Sequence, residues 1–179
     1  MSITVNATQV KGNLIDCLKA RLVPMLVGPP GVGKSAIVND IANEYRLKLI
    51  DVRLSQADPT DMLGLPAKDE ETGKGIYLPM ETFPLEDEGI PKGYDGWLLF
   101  LDEFNSAPMA VQAAAYKLTL DRLVGQEKLH ENVVIMCAGN LATDNAIVNR
   151  LSTAMQSRLV HLEMHVDHEE WLDWAATQQ

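Results

Sequence analysis

The stretch that most constrains this chain is Gly28-Pro29-Pro30-Gly31-Val32-Gly33-Lys34-Ser35. It has the spacing G-x-x-x-x-G-K-[ST], follows the apolar run LVPMLV and opens the helical pattern SAIVNDIANEY. A glycine-rich turn in that position lets backbone N–H groups face inward around phosphate oxygens at a helix N-terminus. Lys34 then supplies a point charge to the β- and γ-phosphates, and the Ser35 hydroxyl a ligand for Mg²⁺. A purely structural turn would not need the Lys-Ser pair in register with both flanking elements.

Around this motif the chain alternates strand and helix patterns. Five short apolar runs read as strands: Leu22–Val27, Lys48–Arg53, Trp97–Leu101, Val133–Ala138 and Leu159–Glu163. WLLFL and VVIMCA show no polar alternation, as expected of a parallel sheet covered on both faces. Ser35–Arg46 and Pro108–Leu120 place apolar residues at helical spacing, among them Val111, Ala114, Ala115 and Leu118. The fold class is therefore α/β, a doubly wound parallel sheet with helices on both faces. Pro24 cannot donate to a sheet ladder and is placed in the first residues of its strand.

The segment 58–95 interrupts this rhythm. It holds Pro59, Pro66, Pro79, Pro84 and Pro91, and from Lys68 to Asp95 it carries eight acids against three lysines. It is too long for an ordinary connection and reads as a functional insertion or mobile loop, with Ile76, Tyr77, Leu78 and a few others to bury.

Two further groups carry chemistry. The strand Trp97–Leu101 runs into Asp102 and Glu103, which puts two carboxylates at the edge where open α/β sheets bind ligands. Asp102 suits Mg²⁺, and Glu103 suits the polarising of a water for in-line attack on a γ-phosphate. The alternative is a pair of helix-capping carboxylates. The run Val133–Ala138 ends in Gly139-Asn140, where the amide of Asn140 can reach a γ-phosphate or the attacking water. Otherwise it is an ordinary turn asparagine.

GPPGVGKS, LLFLDEFNSAP and CAGN resemble the Walker A, Walker B and sensor 1 motifs of AAA+ ATPases. The finer pattern is similar to the MoxR branch: DVRLSQADPTDMLGLP, LDEFNSAPMAVQAAAYKLTLDRLVG and AMQSRLVHLEM, with likeness from about Gly12 to Trp174. This resemblance implies a P-loop NTPase fold of AAA+ type, a five-stranded sheet in the order 5-1-4-3-2, and ATP with Mg²⁺ bound. It implies ring assembly, usually of six subunits, and Arg158 as an arginine finger reaching the neighbouring subunit's ATP. Arg150 is the weaker candidate for that role. It also implies partners with a von Willebrand factor A domain and a role in remodelling or activating client protein complexes. In such proteins a helical lid follows the α/β core, so residues 1–179 read as that core, with 168–179 as the start of a lid cut short.

Composition narrows the choice. With 15 Lys+Arg against 25 Asp+Glu the formal net charge is −10, unsuited to neutralising many phosphates of a duplex. An AAA+ protein acting on DNA, as a helicase loader does, is the second reading, and a small-molecule P-loop kinase the third. Kinases clamp phosphate with arginines, yet none of the six arginines lies in 58–95. No apolar run approaches the ~20 residues of a membrane span, and no signal-peptide core opens the chain, so a cytoplasmic location is expected. His161, His165 and His168 straddle a strand and a helix start with no cysteine nearby, which speaks against zinc. Trp171 and Trp174 read as packing residues.

Overall fold

The computed structural model describes residues 3–5, 7–141, 149 and 151–165. Six strands, β1 (Ile3–Val5), β2 (Val23–Val27), β3 (Leu47–Arg53), β4 (Gly96–Asp102), β5 (Val133–Gly139) and β6 (Leu159–Met164), form one sheet. Every pairing is parallel and the spatial order is β1-β6-β2-β5-β4-β3. Numbered as the five expected runs, β2 to β6 stand in the order 5-1-4-3-2. The sheet has one strand more than expected. β1 adds three residues beside β6, too few to carry a readable period.

Helices α1 (Ala7–Lys19), α2 (Lys34–Glu44) and α3 (Met109–Asp121) cover the sheet. The alternation of each strand sorts side chains to two faces. Trp97, Leu99 and Leu101 of β4 and Ile135 and Cys137 of β5 pack with Val111, Ala115 and Leu118 of α3. Leu98, Phe100, Met136 and Ala138 pack on the other face with Leu14 of α1 and Val38 and Ile41 of α2. Each fully buried leucine contributes about 1.5–3 kcal/mol of transfer free energy, which keeps β4 and β5 rigid supports for the residues that follow them. Pro24 sits second in β2 and pairs in register only with Val160, since pairing with β5 begins at Met25. Its missing N–H therefore costs the central ladder nothing. Helix α1, which the sequence reading left unassigned, buries Val10, Leu14 and Leu18 at four-residue spacing.

The segment 58–95 has more built structure than an insertion loop was expected to have. Asp58 caps a short helix, Pro59–Leu63, through a reciprocal capping box with Asp61. A hairpin follows, Leu65–Lys68 paired antiparallel with Gly75–Leu78. Here the burial expectation is corrected. Tyr77 and Leu78 are 42% and 51% exposed, whereas Met62 and Phe83 are each 1% exposed and join the core. Farther along, Leu85 bridges Leu129, Glu86 N donates to the Lys128 carbonyl (3.0 Å), and His130 N to that of Pro84 (3.0 Å). No helix among the described residues is long and apolar enough to cross a membrane.

Candidate functional site

Parallel strands present all their C-terminal ends at one edge, and the candidate residues gather there. Gly28 leaves β2, and Val27 stands in register with Gly139 at the end of β5. Gly31 and Gly33 adopt φ of 79° and 93°, the left-handed region open to glycine, and carry the chain into α2. Lys34 opens α2 and is buried. Its Nζ donates to the carbonyl oxygens of Gly28 (2.7 Å) and Pro29 (2.9 Å) and to Oδ1 of Asn140 (3.3 Å). The ammonium thus points back into its own loop and reaches the tip of β5. Phosphate oxygens, as charged acceptors, make stronger partners than these carbonyls.

At the end of β4, Asp102 Oδ1 accepts from the Glu103 N–H (2.8 Å). Glu103 has φ 54° and ψ 33°, a left-handed conformation for a residue with a Cβ. Such a backbone costs about 1–3 kcal/mol and persists where its surroundings hold it. The short helical turn Phe104–Ser106 does so, with Phe104 fully buried and Ser106 N donating to the Glu103 carbonyl (2.9 Å). The Glu103 side chain accepts from the hydroxyl of Ser55 through Oε2. Ser55 lies in the turn Leu54–Gln56 that continues β3, and the sequence reading passed over it.

Asn105 was missed as well. It is 7% exposed, and its carboxamide pairs with the main chain of Asn140. Nδ2 donates to the Asn140 carbonyl (2.7 Å), and Oδ1 accepts from the Asn140 N–H (3.1 Å). A Cβ on Gly139 would lie 2.8 Å from Asn105 Cγ, so glycine is required for this approach. The signal that could have found Asn105 is its place two residues beyond Glu103, in the turn that follows β4, the strand beside the one ending in Gly139.

The group ligands can be weighed from the donor set. Ser35 offers a hydroxyl and Asp102 a carboxylate, hard oxygen donors few enough to leave room for the waters and phosphates Mg²⁺ keeps. Among the described residues no three His, Cys, Asp or Glu side chains cluster as a metal site. His161 Nε2 hydrogen-bonds the Gln156 carbonyl (3.0 Å), and His165 lies 3.6 Å from a Glu163 carboxylate oxygen. Beside the phosphate-side residues, a cleft of about 450 Å³ is lined by Asp51, Arg53, Asp61, Met80, Thr82 and Phe83, none of them in the P-loop.

The model of the ATPase family associated with various cellular activities (AAA) matches residues 24–160. This chain belongs to the AAA ATPase family. The AAA match spans the P-loop, Asp102 and Glu103, Asn140 and Arg158. A crystal structure of a candidate ATPase from Cytophaga hutchinsonii superposes with a TM-score of 0.63 at 19% identity, over 93% of this chain. The chain spans 48% of the length of that protein, and the likeness establishes a shared fold. A comparison with curated proteins finds no match.

In this AAA domain Arg158 stands apart from the other candidates. It is exposed in the turn before β6, and Leu159 pairs in register with Val23, at the start of β2. The P-loop begins after Val27, so five strand residues, roughly 16 Å, separate the two along the sheet. Arg158 donates through Nη1 to the Tyr116 hydroxyl, and its guanidinium carbon lies 5.7 Å from the centre of that ring. Arg150, His168, Trp171, Trp174 and the lid start at 168–179 lie outside the described residues.

Proposed function

We propose that this AAA chain binds and hydrolyses ATP with Mg²⁺ as a MoxR-type motor. It would work as a ring, usually of six subunits, in the cytoplasm, remodelling client complexes with a von Willebrand factor A domain protein as partner. The observation that carries the reading is the meeting of three motifs at one sheet edge. Lys34 touches Asn140, and the turn after Glu103 grips the Asn140 main chain. Gly28 to Ser35 would cradle the phosphates, with Lys34 across the β- and γ-phosphates. Ser35 and Asp102 would hold Mg²⁺, whose charge would offset that of the phosphates. Glu103 would take the proton of the attacking water as its oxygen bonds the γ-phosphorus and the bond to the bridging oxygen breaks, releasing ADP, while Asn140 donates to the γ-phosphate. Arg158, too far along the sheet for its own P-loop, suits a finger offered to a neighbour.

The test is single-turnover hydrolysis by the wild type and by Glu103→Gln. ATP affinity should be retained and the rate should fall about 10²-fold or more, the usual contribution of a general base. Equal rates would refute the assignment. Stimulation of turnover by DNA would favour the helicase-loader reading, and phosphate transfer to a small-molecule acceptor in place of water the kinase.

A further inference from the structure

Asn105 satisfies both main-chain polar groups of Asn140 with one planar carboxamide, as a neighbouring strand would. Its own carbonyl accepts from the Asn149 N–H (2.7 Å), so it also ties in the chain beyond Asn140. Asn105 is buried and Asn140 half-buried, so the pairing is partly shielded from water and leaving a group of it unpaired is costly. It joins the tip of β4, which carries the left-handed Glu103, to the tip of β5, whose Asn140 side chain meets Lys34. Neither β4 nor β5 supplies this link through its ladder, which ends at Leu101 and Cys137.

We infer that Asn105 is a positioning residue: it fixes the Asn140 amide relative to Glu103 and Lys34, and so governs hydrolysis of bound ATP. The inference rests on the ATPase reading above. Asn105 acts through Asn140. Among the described residues its hydrogen bonds go to Asn140 and Asn149 and not to the residues of the P-loop, so binding and chemistry should separate.

The experiment compares wild type, Asn105→Asp and Asn105→Ser in ATP affinity, single-turnover hydrolysis and thermal unfolding. Asn105→Asp keeps the acceptor for the Asn140 N–H but sets an oxygen against the Asn140 carbonyl, so the pair parts. The rate should fall about 10- to 100-fold, the scale of a misplacement near 1 Å, with ATP affinity within about threefold of wild type. Asn105→Ser, which is smaller and adds no charge, should show the same split if Asn105→Asp does not fold. A rate within about twofold of wild type in either folded variant overturns the inference and leaves the ATPase reading standing. So does a loss of rate that only follows a loss of folded protein or of ATP affinity. A wild type that binds ATP and leaves it intact removes that reading and this inference together.

Discussion

Ser55 and Glu103 follow different strands, β3 and β4, yet the Ser55 hydroxyl donates to Oε2 of Glu103 at the shared edge of the sheet. A carboxylate oxygen held by a protein hydroxyl must part from it before it can receive a proton from water. Ser55→Ala should free that oxygen, raising turnover about 3- to 10-fold with ATP affinity unchanged, the worth of one such bond. Steady-state hydrolysis at saturating ATP checks it; a fall would mean that the hydroxyl aims the carboxylate.

Lys34 holds two loop carbonyls and the Asn140 amide from one ammonium. Lys34→Ala removes the only full positive charge within GPPGVGKS. The dissociation constant for ATP should rise about 100-fold, or ~2.7 kcal/mol. Calorimetric titration decides, and an unchanged affinity would sink the P-loop assignment.

Arg158 precedes β6, five strand residues or roughly 16 Å along the sheet from its own phosphate loop, so its contribution should pass between chains. Arg158→Ala should bind ATP and lose most turnover, since a finger supplied in trans is worth ~10³–10⁵ in rate. Mixed with Glu103→Gln it should regain activity, because some interfaces then join an intact Glu103 to an intact Arg158. Mixed rings as inactive as either parent would mean that the site is complete in one chain.

Phe83 tests how firmly the segment 58–95 is fastened. It is buried, in the same core cluster as Leu54 and Met62. Phe83→Ala should cost about 3–5 kcal/mol in urea unfolding if the segment unfolds with the sheet. A loss below about 1 kcal/mol would show that the segment detaches separately.

What could be read in the sequence had strong local signals. WLLFL and VVIMCA have no polar residue to place outward, so their burial and parallel pairing follow from composition alone. GPPGVGKS joins strand to helix within eight residues, and its partners Asp102 and Asn140 each end an apolar run. The rest depends on contacts between distant residues. Ser55 and Asn105 are small polar residues in short turns, indistinguishable locally from solvent-facing ones, and only the sheet order brings them to Glu103 and Asn140. Met62 and Phe83 are isolated among prolines and acids, so no period marked them as buried. Tyr77 and Leu78 sit in a hairpin whose exposure is settled by what it leaves uncovered.

The contact between Gly139 and Asn105 limits how this chain can vary. A side chain at 139 would occupy the volume that the carboxamide of residue 105 fills. A smaller residue at 105 would leave the Asn140 main chain without its partners. The bare backbone at 139 and the carboxamide at 105 are thus two halves of one fitting, and a change at either is felt at the other.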